Sequence, residues 1–349
     1  MTAGWRITRN ASLAARNTFA VPATAPWLVE VRHAAALPDA LALPQLRDGA
    51  PLVLGGGSNL LFAGNAPGAV LAINAHSVTV VEEHEDRAIV RAEAGMRWPA
   101  LVRATLDLGL KGFENLALIP GTTGASPIQN IGAYGTELSE FVHCVEAFDR
   151  TAGELVRLPC ADCGFAYRNS VFKRSVDRYV VLAVEFALPR RRELRLDYAG
   201  IGDELIAMGV TAPEALDVAA AVERIRRRKL PDPAVIGNAG SFFKNPIVDA
   251  ALADALSRQY PGLPQFRGDS DAKRKLSAGW LIDACGWKGY REGDAGVADS
   301  HALVLVNHGT ASGAQLLVLA RRIAASVKAR FDVELDPEPR IIGTSWLQP

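Results

Sequence analysis

Cysteine and histidine are scarce in this chain, and their scarcity removes several classes of protein at once. Four cysteines among 349 residues cannot form the disulfide framework of a small secreted domain. Cys160-Ala161-Asp162-Cys163 has redox or zinc spacing, but no second such pair and no histidine-rich segment accompanies it. Reduced structural thiols are expected there. The six histidines show no grouping of the H-E-x-x-H kind, and no metal is expected. Charge of one sign is missing too. Lys plus Arg and Asp plus Glu number 38 each, so no overall field draws the chain to nucleic acid or to an anionic membrane. No apolar run reaches the roughly 20 residues of a membrane helix, and an apolar leader is lacking. Arg6, Arg9 and Arg16 precede the first acid, Glu30, with a faint likeness to a transit peptide. The stretch is expected to form a short basic arm before the first strand of a cytoplasmic protein.

What the chain does have is glycine and proline in runs. The densest is Ile119-Pro120-Gly121-Thr122-Thr123-Gly124-Ala125-Ser126-Pro127-Ile128-Gln129-Asn130-Ile131-Gly132-Ala133-Tyr134-Gly135. Four glycines and two prolines exclude an ordinary helix or core strand. Glycine admits positive φ and a close approach, and proline fixes chain direction and removes a donor. A row of backbone N–H groups and small hydroxyls remains, suited to wrapping a phosphate. A second element, Val53-Leu54-Gly55-Gly56-Gly57-Ser58-Asn59-Leu60-Leu61, reads as a strand, a tight anion-accepting turn and a return to the core. It lacks the Lys-Ser or Lys-Thr of a Walker loop and the spacing and following helix of a Rossmann fingerprint. Two such loops suggest one large dinucleotide held by neither familiar device. The plain alternative is that both are glycine-rich surface turns.

The length allows two or three domains with a substantial core. Strands are expected at Trp27 to Val31, Pro51 to Leu54, Ala69 to Ile73, Val78 to Glu82, Ala88 to Glu93, Val142 to Asp149 and Tyr179 to Leu188. A helix is expected at Ala34 to Arg47, another at Trp98 to Leu108 ended by Gly109, and a third at Pro213 to Lys229. That last helix stops at Leu230-Pro231-Asp232-Pro233, which reads as a domain boundary. Beyond it, helices are expected at Val248 to Gln259, Ser277 to Ala284 and Ser312 to Phe331, with a strand at Ala302 to Asn307. The long last helix between strands resembles a βαβ unit. Arg224, Arg226, Arg227, Arg228 and Lys229 cluster at one helix end. They either offset its macrodipole or face a phosphate, and the sequence does not choose.

Many short motifs then fall in one order. They are Trp98-Pro99, Gly112-Phe113-Glu114-Asn115-Leu116, Ile119-Pro120-Gly121, Gln129 to Gly135, Tyr167-Arg168-Asn169-Ser170, Lys229-Leu230-Pro231-Asp232-Pro233, Gly237 to Pro246, Lys275 to Ile282 and His301 to Asn307. In this order the chain resembles the UDP-N-acetylenolpyruvoylglucosamine reductase (MurB) family, type I, over nearly its whole length. The resemblance implies an α+β fold: a two-subdomain FAD-binding fold of the vanillyl-alcohol-oxidase (PCMH) type plus a C-terminal α/β substrate-binding domain. The expected divisions are 1–76, 77–230 and 231–349, with the last residues returning to the first part. It also implies FAD as cofactor, NADPH as co-substrate and a UDP-sugar substrate bearing an enolpyruvyl ether. Reduction of that ether would make UDP-N-acetylmuramate for peptidoglycan. A monomer is expected, with neither nucleic acid nor membrane as a partner.

The chemistry sets the roles that the resemblance assigns. Hydride addition to the β-carbon of a vinyl ether leaves negative charge at the α-carbon and its carboxylate, so the carboxylate needs a cation and the α-carbon a proton donor. Arg168 offers a planar, permanently charged fork; without the resemblance it would pass as a surface arginine. Ser241, in Gly237-Asn238-Ala239-Gly240-Ser241, is the expected proton donor, and otherwise the cap of a turn. Glu338, between Pro337 and Pro339, is the second charge-handling group, and otherwise a solvated turn residue. Near an enolate it helps only if protonated or bridged through a partner. The resemblance assigns Gly55, Gly56, Gly57, Ser58, Asn59, Gly121, Thr122, Thr123, Gly124, Gln129, Asn130, Gly132, Ala133, Tyr134, Arg226 and Arg340 to FAD. Tyr167, Tyr198, Lys229, Asn245 and His301 are expected at the substrate, with Tyr198 the type I loop tyrosine. Two other readings compete: a flavin oxidase of the same fold acting on a sugar or alcohol, and a non-catalytic nucleotide-binding module.

Overall fold

The computed structural model describes residues 4–47, 49–198 and 200–347; Ala199, next to Tyr198, lies outside them. Two compact units emerge, each assembled from separate stretches of chain. The first holds Met1–Ala11, Ala25–Gly56 and Gly68–Arg227. The second holds Ser12–Thr24, Gly57–Pro67 and Arg228–Pro349. The break at Arg227 lies beside the Pro-rich segment that reads as a boundary.

The first unit contains two sheets. One runs in the order Trp5–Ser12, Thr24–Val31, Val70–Ile73, Leu52–Val53, with the last three strands parallel. The other is antiparallel, in the order Glu154–Pro159, Val142–Asp149, Tyr179–Pro189, Arg87–Glu93, Val78–Glu83. Tyr179–Pro189 serves two cores. Val180 and Leu182 pack with Val29, Val31 and Leu71, whereas Val184, Phe186 and Leu188 pack with Trp98 and Phe113. A bulge against Glu146 and Ala147 lets this happen. Ala183 and Val181 pair and Leu182 is skipped, so the side-chain alternation flips at that point.

The helix Trp98–Asp107 buries Trp98, Leu101, Val102, Thr105 and Leu106, the stripe that a 3.6-residue repeat turns to one face. Trp98 Nε1 donates to the Leu116 carbonyl at 3.0 Å, and its ring lies 4.9 Å from Phe113. The expected helix over Ala34 to Arg47 is broken into Ala34–Ala36, Leu37–Leu41 and Pro44–Arg47. Pro44 has no N–H to continue the ladder, so a new helix starts there. The helix expected from Pro213 begins at Ala215 and ends at Lys229.

The expected basic arm is corrected. Arg6 and Arg9 belong to the strand Trp5–Ser12, Trp5 packs on the first core, and the Arg9 guanidinium lies 5.7 Å over the Trp27 ring. Pairing with Thr24–Val31 and the buried Ala11 hold the strand, with Arg6 and Arg9 on exposed positions.

The second unit is made of smaller pieces. Leu60–Phe62 pairs in parallel with Arg340–Ile342, so the end of the chain joins a strand from its beginning. Ile247–Asp249, Lys273–Leu276 and Gln265–Arg267 form one antiparallel sheet, and Arg291–Glu292, Ala295–Val297 and Leu305–Asn307 another. The helix Gly313–Phe331 opens on a capping box between Ser312 and Gln315. The strands flanking it, Leu305–Asn307 and Arg340–Ile342, belong to different sheets, so the expected βαβ unit is not formed. The expected strand Ala302 to Asn307 is also shorter, since Val304 N turns back to the His301 carbonyl.

Candidate active site

Within the first unit the two glycine loops touch. A methyl group on Gly55 would come within 2.7 Å of Thr122 Oγ1, and one on Gly56 within 2.9 Å of Gly121 Cα. Only residues without a side chain allow that contact. The groups further along the run are engaged internally. Thr123 N and Oγ1 donate to the Met96 carbonyl at 2.8 and 3.1 Å, and Gly124 N to the Ala94 carbonyl at 2.9 Å. The Asn130 side chain donates to Glu137 Oε2 at 2.8 Å and to the Ala166 carbonyl at 3.3 Å, and accepts from Ser139 N at 2.9 Å. Thr123, Gly124 and Asn130, expected as cofactor contacts, also brace the loop through these bonds. Ala125 to Ile131 continues as a succession of tight turns, with Ile131 N donating to Ser126 O.

Arg168 and Tyr134 both adopt left-handed backbone, with φ of 52° and 50°. Arg168 Nη2 donates to the Gly132 carbonyl at 3.1 Å, and its guanidinium carbon lies 5.8 Å from the Tyr167 ring centroid. Arg226 projects from the helix Ala215–Lys229, and its buried Nε has no hydrogen-bond partner among the described residues. Burial holds its guanidinium below the ordinary arginine range; the Arg168 charge pushes the same way and Tyr134 opposes it. Tyr134, Arg168 and Arg226 thus share one neighbourhood. Tyr198 joins them, its half-exposed ring edge-on to Tyr134 at 5.2 Å.

Four residues the sequence did not single out surround this cluster. Asn115 Nδ2 donates to the Tyr134 and Arg195 carbonyls at 3.1 and 3.0 Å. Glu140 receives Arg192 and Arg195 at 2.8 Å each. Burial raises the Glu140 carboxyl, but Arg195, the Glu137 N–H and Arg192 together bring it below the ordinary range.

The second unit presents its candidates on extended backbone. Ser241 forms an antiparallel bridge with Val304, and Phe243 one with Pro337. Phe242 N donates to Leu303 O, and Glu338 N to Phe242 O, at 2.8 Å each. Ser241 and Glu338 therefore sit on neighbouring segments, anchored by the buried rings of Phe242 and Phe243. Asn59, just after the Gly55-Gly56-Gly57 turn, reaches the same place. Asn59 Nδ2 donates to the Glu338 carbonyl at 3.5 Å, and Arg340 N to the Asn59 carbonyl at 3.1 Å. Gly57 (φ 64°) is in contact with the Arg16 carbonyl wherever a Cβ would be, which only glycine permits.

Asn245 Oδ1 accepts from Ala278 N at 3.0 Å and caps the helix Ala278–Ala284, where Ser277 Oγ accepts from Trp280 N. The Lys229 carbonyl accepts from Ser300 Oγ at 3.0 Å. His301 Nδ1 accepts from Leu303 N at 3.2 Å, so in the neutral ring the proton is on Nε2. Burial first, then Lys229 and Lys288, hold this imidazole below the usual histidine range.

The Cys160–Cys163 turn takes no part. All four cysteines are thiols, and burial pushes Cys163 up to about 12. Among the described residues no three His, Cys, Asp or Glu side chains are placed to hold a metal ion, and no helix is long and apolar enough to cross a membrane.

Comparison with known proteins accounts for this arrangement. Residues 25–159 match an FAD binding domain, and residues 232–342 match the C-terminal domain of UDP-N-acetylenolpyruvoylglucosamine reductase. The reductase of Xanthomonas campestris pv. campestris (strain B100) is 57% identical over 342 residues, covering 98% of each chain. That of Xanthomonas euvesicatoria pv. vesicatoria (strain 85-10) is 57% identical over 343 residues, again 98% of each. The crystal structure of the Thermus caldophilus reductase superposes with a TM-score of 0.68 at 26% identity, over 97% of this chain and 99% of that one. The fold is that of an FAD-dependent oxidoreductase, a vanillyl-alcohol-oxidase-type α+β flavin fold with a C-terminal substrate-binding domain. Within that class, the chain belongs to the UDP-N-acetylenolpyruvoylglucosamine reductase family.

Proposed function

We propose that this chain reduces the enolpyruvyl ether of UDP-N-acetylglucosamine enolpyruvate to UDP-N-acetylmuramate with electrons from NADPH. It does so as a cytoplasmic monomer, in the synthesis of a peptidoglycan precursor. The observation that carries the reading is the placement of Ser241 beside Glu338 on backbone-paired segments in a chain 57% identical to reductases of that name. The two sheets of the first unit serve as the FAD-binding subdomains (1–76 and 77–230), and 231–349 as the substrate-binding domain.

The residues present fit a flavin nucleotide. The touching glycine loops leave close-approach backbone, and the buried Arg226 Nε is a donor without a hydrogen-bond partner among the described residues. Gly55, Gly56, Gly57, Ser58, Asn59, Gly121, Thr122, Thr123, Gly124, Gln129, Asn130, Gly132, Ala133, Tyr134, Arg226 and Arg340 would hold it. FAD, once bound and reduced by hydride from NADPH, would supply the hydride for the substrate β-carbon and return to its oxidised form.

The chain's own residues do the rest. Arg168 takes the substrate carboxylate in its fork and keeps its charge where solvent is scarce. Glu338 handles the charge that builds on the same group. Ser241 Oγ gives its proton to the α-carbon: the new C–H bond forms as the O–H bond breaks, and the serine recovers a proton from water. A serine is a weak acid, but the α-carbon it serves is a strong base at that moment. Lys229, Tyr198, Tyr167 and His301 meet the diphosphate and sugar, and Asn245 offers its Nδ2 amide, its oxygen being committed to the helix cap.

The test is spectroscopic. The purified protein is expected to be yellow, to bleach with NADPH and to recolour with the enolpyruvyl substrate. Ser241→Ala should bleach normally but recolour roughly 10² to 10⁴ times more slowly. Recolouring at the parental rate would remove Ser241 from the role. A colourless protein, or one recoloured by oxygen alone and indifferent to UDP-sugars, would overturn the reductase reading.

A further inference from the structure

Between the strand Tyr179–Pro189 and the helix Ile201–Ala207, the chain carries Tyr198 on an irregular segment. Such a segment has no ladder to hold it, so its position depends on side chains. Leu194 and Leu196 pack on the core, and four polar and ring cross-links tie the segment to the Gly132–Gly135 loop and the residues just after it. Glu140 Oε1 accepts from Arg195 Nη1 at 2.8 Å, and Oε2 accepts from Arg195 Nη2 and Arg192 Nη2 at 2.8 Å each. Glu137 N donates to the same Oε1 at 3.0 Å, which fixes the carboxylate against its own turn. Arg195 Nη1 also donates to the Gly135 carbonyl at 2.6 Å. Asn115 ties the Arg195 carbonyl to the Tyr134 carbonyl, and the Arg192 guanidinium covers the Phe141 ring at 4.6 Å. Four donors on one carboxylate is more than a surface ion pair needs. A bidentate fork of this kind sets direction as well as energy.

We propose that Glu140 is a positioning residue for the substrate: through Arg192 and Arg195 it latches the Tyr198 segment to the Gly132–Gly135 loop, so that Tyr198 stands ready beside Tyr134 before the UDP-sugar arrives. The inference rests on the reading of Tyr198 as a substrate contact. Preorganisation of this sort lowers the ordering cost at binding. Its loss is therefore expected in substrate affinity, and the reduction of the flavin serves as the control for damage to the Gly132–Gly135 loop.

The experiment uses the flavin-loaded enzyme with Glu140→Gln, and Arg195→Gln to break the same latch from the other side. Amide hydrogen exchange of residues 190–198 should accelerate on the order of tenfold in both variants, the equivalent of one strong charge-assisted bond. KM for UDP-N-acetylglucosamine enolpyruvate should rise on the order of tenfold, with kcat and the single-turnover rate of bleaching by NADPH unchanged. Arg195→Lys, which keeps one charge on Glu140, should recover part of the affinity. Faster exchange with an unaltered KM would overturn the proposal, because the latch would then hold the segment to no purpose for the substrate. Unchanged exchange would overturn it as well, and so would a bleaching rate that falls with the affinity, since the damage would then lie in the flavin loop. Failure of the parent enzyme to bind the UDP-sugar would instead sink the functional reading, and the two failures are distinguishable.

Discussion

In the first unit the candidates around the glycine-rich run are held by side chains. Asn130 braces its loop with three hydrogen bonds, Arg168 ties itself to Gly132 O, and Glu140 gathers two arginines. In the second unit Ser241 and Glu338 are held by main-chain bonds between their segments and Leu303, Val304, Phe242 and Pro337. The difference teaches which substitutions separate chemistry from architecture. Changing Ser241 or Glu338 should remove a chemical group and leave these main-chain bonds in place. A change in the first unit removes both.

The sharpest way to break this comparison pairs Arg168→Met with Glu338→Gln. Each should lower kcat by roughly 10² to 10³, the usual loss for one electrostatic group in a reaction of this type. Only Arg168→Met should also lose flavin, because Gly132 O is left without its donor; the ratio of flavin to protein absorbance measures this. If Glu338→Gln loses flavin and Arg168→Met keeps it, the comparison is inverted.

Backbone geometry gives the next largest effect. Gly57 lies in the left-handed region, with the Arg16 carbonyl where a Cβ would go, and its own carbonyl accepts from Thr18 N at 3.1 Å. Gly57→Ala should cost about 2 kcal/mol or more, since left-handed strain is about 1–2 kcal/mol and the contact adds to it. Urea unfolding should show the loss as a lowered midpoint. An unchanged midpoint would mean that the frame of the second unit does not depend on this turn.

Much of this was legible in the residues themselves. The Trp98 helix has its apolar stripe, Ser312 and Gln315 spell a capping box, and Val142 to Asp149 matches the observed strand to the residue. Local pattern was enough wherever the partners of a residue are near in sequence. It failed where they are distant. Residues 12–24 belong with the second unit because Asn238 N reaches Thr18 O and Thr18 N reaches Gly57 O, and no periodicity announces bonds across 220 residues. The run from Gly121 looked like a row of available N–H groups, yet Thr123 and Gly124 donate to Met96 and Ala94. Glu140 lies 52 and 55 residues from Arg192 and Arg195, in a turn whose composition marks only a helix start. Ser241 and Glu338 stood out through family motifs alone; that they are neighbours is a product of strand pairing.

The smallest effect tests whether side-chain scaffolding makes the first unit acid-sensitive. Glu146, on the strand Val142–Asp149, pairs with Arg91 at 2.7 Å and with Arg157 at 3.2 Å. Its carboxyl is held below the ordinary range, first by the Arg91 hydrogen bond and against the upward push of burial. A carboxyl lowered in this way stabilises the fold fully above its unfolded value of about 4.3, and the stabilisation is lost as pH falls through the folded value. Glu146→Gln should therefore cost about 1 kcal/mol at pH 7, and its unfolding curve should converge on that of the parent as pH falls below about 4. Hydrogen exchange locates the change: protection of Val142–Asp149 should fall with acid in the parent, whereas the Ser241 to Lys244 segment, held by amide-to-carbonyl bonds that do not titrate, should keep its protection over the same interval. Parent and variant curves that stay parallel down to pH 3 would show that the arginine pairs of Glu146 contribute nothing to stability, and that the first unit stands on its apolar cores alone.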